Sequence, residues 1–270
     1  MNLKALSFGI LTLVIVGIIF FGRCVTFSNS EPSYLTAETT PSNHEMQTKG
    51  FLKEVTYQSE STLKGYLCKP EGSGPFPAVI YNHGGKGGII GGAPKETCEA
   101  LAKAGFVGFS PIRREELSLK RNLDDVFAGI KYVRTLDYVD SDLIGIIGFS
   151  RGGFLTFLAA SQEPDFKAII IMASAPPSYS DEEFYSDASK ISAPVLILVA
   201  ENDLPSKING YQNLVESAEK MKDTFKAAGK NVQLIIYPPY KDNGHLMFFE
   251  VGDYWKDVVE FLQRSFLKDV

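Results

Sequence analysis

The chain has 270 residues, 44% of them hydrophobic and 22% charged, with a formal net charge of −5. That is enough to bury the core of one α/β domain with appendages, and without a basic cluster it offers nucleic acid no patch to bind. Cys24, Cys68 and Cys98 are too few and too scattered for a disulfide framework or a zinc site.

Residues 1–23 come first, as an apolar segment. Ala5 to Gly22 carries no charge and reaches the lower length limit for crossing a bilayer. Lys4 precedes it and Arg23 follows, which favours a cytoplasmic N-terminus. Arg23-Cys24-Val25-Thr26 has no Ala-x-Ala cut pattern, so an uncleaved membrane anchor is the first expectation and a cleaved signal peptide the second. Either places the rest of the chain outside the cytoplasm, anchored in the first case and secreted or periplasmic in the second. Residues 24–50 are rich in Ser, Thr, Pro and Glu and read as a polar linker. Residues 51–270 read as the catalytic domain.

Within that domain, Leu52–Gln58 and Leu63–Lys69 are predicted strands joined by a polar turn. Phe76–Asn82 (FPAVIYN) is a continuous apolar run, as for a strand buried on both faces. A helix is predicted over Pro94–Ala104, ended by Gly105, and a strand over Phe106–Ser110. Cys68 and Cys98, in a strand and a helix, read as small core residues; a bridge between them stays open for an oxidising compartment. In Leu119–Leu136 the residues Leu123, Val126, Phe127, Ile130 and Val133 keep helical spacing. Strands at Leu143–Gly148, Ala168–Ala173, Pro194–Ala200 and Val232–Tyr237 alternate with helices at Arg151–Ser161, Ile208–Ala228 and Tyr254–Leu267. That alternation predicts an α/β fold: a mostly parallel central sheet with helices on both faces.

Gly148-Phe149-Ser150-Arg151-Gly152 matches G-x-S-x-G and sits between a strand and a helix, the setting a nucleophile elbow needs. A serine hydroxyl is a weak nucleophile at neutral pH, so a base must take its proton. Of the three histidines, His44 lies in the linker and His83 ends the FPAVIYN strand before a glycine run. His245, between the last strand and the last helix, is where the fold's Ser…Asp…His order puts the base. The acid then follows the Pro194–Ala200 strand: Asp203 is the choice, Glu201 the fallback, and Asp242 a loop carboxylate. Oxyanion donors are expected from the backbone N–H of Arg151 and from the loop His83–Gly88, with Gly85 named. Arg113 and Arg114, just past the fourth strand, are candidates for clamping a substrate carboxylate; an ion pair with Glu115 or Glu116 is the other reading.

With these residues assembled, Phe51 to Phe266 resembles the dienelactone-hydrolase-like and prolyl-oligopeptidase-like branch of the α/β-hydrolases. The resemblance rests on NHGG at Asn82–Gly85, GFSRGG at Gly148–Gly153, VLILVAENDLP at Val195–Pro205 and Gly244-His245. It implies the α/β-hydrolase fold and a serine hydrolase. The chain departs from dienelactone hydrolases proper, which use cysteine where Ser150 stands. It also departs from prolyl oligopeptidases, which carry a propeller where only a linker stands here. Ser174–Ala193 is too short for a separate lid domain. The expected activity is cleavage of carboxylic esters through an acyl-enzyme, without metal or organic cofactor, on a small ester or a short peptide. A small serine peptidase is the second reading and a non-catalytic hydrolase-like binding protein the third. Oligomeric state is not legible in the sequence.

Overall fold

Short runs of apolar and β-branched residues line up as one sheet. In the computed structural model, which describes residues 49–57, 62–177 and 185–267, the strands are β1 (Phe51–Tyr57), β2 (Leu63–Lys69), β3 (Phe76–Asn82), β4 (Val107–Ile112), β5 (Val139–Phe149), β6 (Ala168–Met172), β7 (Val195–Ala200) and β8 (Val232–Tyr237). They pair in the order β1-β2-β4-β3-β5-β6-β7-β8. The β1–β2 and β2–β4 pairs are antiparallel and the rest parallel. The apolar segment expected over residues 1–23 lies outside the described residues. No helix among the described residues is long and apolar enough to cross a membrane.

The helices are α1 (Pro94–Lys103), α2 (Leu119–Arg134), α3 (Arg151–Gln162), α4 (Leu214–Ala227) and α5 (Trp255–Phe266). Alternation along β4 separates them onto two faces. Gly108 backs onto α1, where a Cβ would stand 2.6 Å from the Cys98 carbonyl oxygen. Its neighbour Phe109 points the other way, against Gly129 of α2. Phe266 of α5 meets Phe106 on the α1 side, ring centroids 5.3 Å apart. Covered on both faces, the central strands are buried throughout: every residue of β6 and β7 is inaccessible, and each large aliphatic side chain contributes roughly 1.5–3 kcal/mol.

This topology positions the site. From β3 the chain crosses to β4 on one side, then returns to place β5 on the other, so the strand order switches beside β3. Ligands of open parallel sheets bind at that switch, outside the carboxyl ends of the strands. The loops after β3, β4, β5, β7 and β8 all open there.

Four elements differ clearly from the sequence expectation. β5 begins at Val139 rather than Leu143, because Val139 pairs with Phe76 ahead of a register shift; the polar Asp140-Ser141-Asp142 hides this extension in the sequence. α4 begins at Leu214 rather than Ile208: Gly210 and Tyr211 take positive φ (71° and 62°) and Asn213 caps the helix by accepting from the Glu216 N–H. The stretches Ser186–Lys190 and Gly244–Phe249 each form a short 3₁₀ turn.

Cys68 and Cys98, read from the sequence as small core residues with a bridge between them left open, are joined by a disulfide, their Cα atoms 5.6 Å apart. The periodicity placed each in its element correctly, but the contact between β2 and α1 is not local and leaves no trace in either segment. With the cysteines 30 positions apart in sequence, closing that loop in the unfolded chain is worth about 3–4 kcal/mol. A Cys68→Ala, Cys98→Ala chain is therefore expected to unfold at lower urea, with that loss in extrapolated stability. An unaltered midpoint would show that the bridge restrains nothing.

Candidate active site

Ser150 stands between β5 and α3 with φ 54° and ψ −122°, a backbone region that a non-glycine residue holds only under strain of about 1–3 kcal/mol. Its N–H donates to the Met172 carbonyl at 2.9 Å and its own carbonyl accepts from Ala175 N–H at 3.1 Å, so the turn is locked to the end of β6. The flanking glycines are required by close approach. A Cβ on Gly148 would meet the Gly152 carbonyl oxygen at 2.2 Å, and one on Gly152 would meet the Asn82 carbonyl oxygen at 2.1 Å. The elbow is thus a local consequence of small–large–Ser–large–small at the end of a buried strand.

The structure brings His245 and Asp203 to this serine. His245 Nε2 lies 3.0 Å from Ser150 Oγ, and Nδ1 lies 2.9 Å from Asp203 Oδ2. With an ionised carboxylate as acceptor, the Nδ1 proton is the one donated, which leaves Nε2 to accept from the serine hydroxyl. Asp203 is fully buried, His245 is 2% exposed and Ser150 8% exposed, so accessibility rises from the acid to the nucleophile. Glu201 and Asp242, the other carboxylates considered, are exposed.

Asn209, which sequence reasoning missed, completes the carboxylate's environment. Its Nδ2 donates to Asp203 Oδ1 at 2.9 Å, and its Oδ1 accepts from the N–H groups of Ser206 and Gln212. One buried amide therefore folds the β7–α4 loop around the acid. Asn243 does similar work for the base: its Oδ1 accepts from the His245 N–H and its Nδ2 donates to Ser206 Oγ. Nothing in the sequence marks these asparagines: Asn243 sits in a loop, a signal shared by any turn asparagine, and Asn209 falls within the stretch expected as helix.

The loop after β3 turns back on itself, Gly84 and Gly91 exchanging backbone hydrogen bonds of 2.8 and 3.1 Å. A Cβ on Gly84 would stand 3.1 Å from Ser150 Cβ, so this hairpin is directly beside the nucleophile. The N–H groups of Gly85 and Arg151 have no acceptor among the described residues; that of Arg151 is free because it opens α3. Two such donors beside a serine are what an oxyanion calls for.

His83 and Arg113 hold the hairpin in place. His83 Nδ1 donates to the Gly84 carbonyl at 2.6 Å while Nε2 accepts from the Arg113 N–H at 3.2 Å. Burial, reinforced by the Arg113 guanidinium, keeps the imidazole neutral, its pKa pushed down to about 3. In the unfolded chain the same group binds a proton below its ordinary 6.5. Between those values the unfolded state alone carries the proton, so stability falls as pH drops, by up to about 1.4 kcal/mol per pH unit. A His83→Gln chain is expected to lose that part of the acid slope whatever its stability at neutral pH. Urea midpoints from pH 7 down to 4 measure it, and parallel curves for the two chains would refute it.

The two arginines expected to clamp a substrate carboxylate are instead engaged by the protein. Arg113 is buried, and its guanidinium donates to the carbonyls of His83 (2.7 Å) and Gly85 (3.2 Å). Burial and the nearby Arg151 lower its pKa to about 10, which still leaves it charged at neutral pH. Arg114 is held by the fully buried Asp125, through Nε at 2.8 Å and its backbone N–H at 2.9 Å. The correction has a simple cause: the end of β4 faces the site, but an arginine there is long enough to fold back onto buried carbonyls and a buried carboxylate. Arg151 also stays within the protein, donating to Asn122 Oδ1 and to the Leu117 carbonyl. Among the described residues no group of three or more His, Cys, Asp or Glu side chains is placed to hold a metal ion.

Comparison with known proteins bears on the chain as a whole. Residues 112–264 match the Dienelactone hydrolase family. A candidate carboxymethylenebutenolidase of Methylorubrum extorquens is 24% identical over 205 residues, spanning 66% of this chain and 67% of its own. Among solved structures, a candidate dienelactone hydrolase of Klebsiella pneumoniae superposes with a TM-score of 0.63 at 19% identity, over 80% of this chain and 99% of its own. The acylaminoacyl peptidase of Pyrococcus horikoshii superposes with a TM-score of 0.62, also at 19% identity, over 83% of this chain but 43% of its own. At such identities these structures speak to the shared α/β-hydrolase fold alone.

Proposed function

The chain belongs to the dienelactone hydrolase family, and from that premise we propose that it hydrolyses carboxylic esters through an acyl-enzyme on Ser150. The observation that carries this reading is the continuous line from Ser150 Oγ through His245 to Asp203, at 3.0 and 2.9 Å, with its inner end sealed from water. In the first half-reaction Oγ adds to the ester carbonyl carbon as its proton passes to His245 Nε2. The oxyanion so formed accepts hydrogen bonds from the N–H groups of Arg151 and Gly85. Collapse expels the alcohol, which takes the proton from His245. Water then adds to the acyl carbon as its proton passes to His245, and collapse breaks the bond to Oγ, which takes that proton back as the acid leaves. Asp203 keeps the imidazole in the tautomer that can accept, and stabilises its charged form.

The same groups would cleave an amide, so a small peptidase is the second reading. The fold shared with the acylaminoacyl peptidase supports it, but this chain spans less than half of that enzyme. Location is part of the proposal too. The Cys68–Cys98 bridge suits an oxidising compartment, in keeping with an apolar segment over residues 1–23 that sends the domain out of the cytoplasm.

Labelling by a fluorophosphonate probe, followed by assay of the full chain on p-nitrophenyl acetate and butyrate beside alanyl and prolyl p-nitroanilides, tests the reading. Labelling with faster ester than anilide turnover is the expected outcome. Preferential anilide cleavage would move the chain to the peptidases, and absence of labelling would leave a fold that only binds.

A further inference from the structure

Among the described residues, most of the exposed large apolar side chains collect at one end of the sheet, Leu52, Ile236 and Leu267 being the exceptions. Ile89, 68% exposed, and its neighbour Ile90 cap the hairpin after β3; Leu117 stands in the loop after β4; Leu204 and Tyr211 stand in the loop after β7; and Phe249, 41% exposed, ends the turn after β8. All of these loops leave the carboxyl ends of strands, the end that carries Ser150. A lone exposed leucine is ordinary, but a group of them around a nucleophile marks a binding surface.

Distances tie the group to the reacting atoms. The Phe249 ring lies 5.4 Å from that of Phe149, the residue before the nucleophile, and 6.3 Å from the His245 imidazole, whose Nε2 faces Ser150 Oγ. In the hairpin after β3, Ile90 adjoins Gly91, which pairs with Gly84 next to Ser150. The apolar tip of this hairpin and the Phe249 ring both belong to loops that adjoin the Ser150–His245 pair. The guanidinium groups of Arg113, Arg114 and Arg151 are meanwhile directed at the protein's own carbonyls, Asp125 and Asn122.

Building on the esterase reading, we propose that Ile89, Ile90 and Phe249 form an apolar cleft for the hydrocarbon chain of the substrate, and that the protein acts on esters of medium-length aliphatic acids. Each methylene moved from water into such a cleft raises specificity by about fourfold. For the full chain, kcat/KM is then expected to climb at least about tenfold from p-nitrophenyl acetate to octanoate. An Ile89→Ser, Ile90→Ser double variant is expected to flatten the series, each rate taken relative to that variant's own acetate rate, to within about threefold, and Phe249→Ser to reduce its slope. These side chains stand largely in solvent, so a urea midpoint near that of the parent shows the fold intact. A flat or falling series in the parent chain, or an unchanged slope in both variants, overturns the cleft. If acetate turnover proves independent of Ser150, the esterase reading fails by itself. The cleft is then read without chemistry, by calorimetry of 2-decanone against 2-butanone on the Ser150→Ala chain. Tighter binding of the longer ketone, lost in the double variant, sustains it, and equal binding sinks it.

Discussion

Ser150→Ala is expected to lower kcat on p-nitrophenyl butyrate by about 10⁵–10⁶, with KM changed little. The size follows from what the substitution removes. Oγ is the atom that forms the acyl bond, and the described residues offer no second nucleophile in its place against His245. Alanine keeps the Cβ, so the packing against Gly84 persists, as do the backbone hydrogen bonds to Met172 and Ala175. The lost hydrogen bond to His245 is worth about 1 kcal/mol of stability, small enough for the variant to remain folded. Circular dichroism and a urea curve establish that before any rate is compared. Residual turnover within tenfold of the parent would place the nucleophile elsewhere.

Asp203→Asn is expected to reduce the same rate by about 10⁴. The replacement is isosteric, so Asn209 can still donate to Oδ1 and the β7–α4 loop keeps its shape. What changes is the group facing His245 Nδ1. An amide N–H there cannot accept from Nδ1–H, so the imidazole carries its proton on Nε2 instead and donates towards Ser150, where it must accept. A Glu201→Gln variant is the control, and an exposed residue with no contact to the imidazole is expected to leave the rate within about twofold. Equal losses in the two variants would refute the assignment of the acid.

The legible parts of this protein were those fixed by neighbours in sequence. The elbow at Gly148–Gly152 could be read because its constraints act within five consecutive residues at the end of a buried strand. His245 and Asp203 could be placed because parallel strands bring successive loops to the same end of the sheet, and chain order then assigns the partners. Where a side chain chooses among distant partners, the sequence is silent. Arg113 and Arg114 sit at the edge of the site as expected, yet the contacts that claim them come from β3 and α2. Asn209 lies where a helix was expected, and only the folded loop shows that its amide reaches back to Asp203. The Cys68–Cys98 pairing belongs to the same class, since it depends on α1 lying against the β2 side of the sheet.

That bridge also encloses the hairpin. Residues between Cys68 and Cys98 include all of β3 and the stretch from His83 to Gly92, with Lys86 exposed near its tip. A peptide bond cut after Lys86 therefore divides the backbone without separating the pieces. The two chains would migrate as one band on a non-reducing gel and as two after thiol treatment. This exposed tip lies inside a covalent ring, so a chain nicked there stays whole for as long as its surroundings remain oxidising.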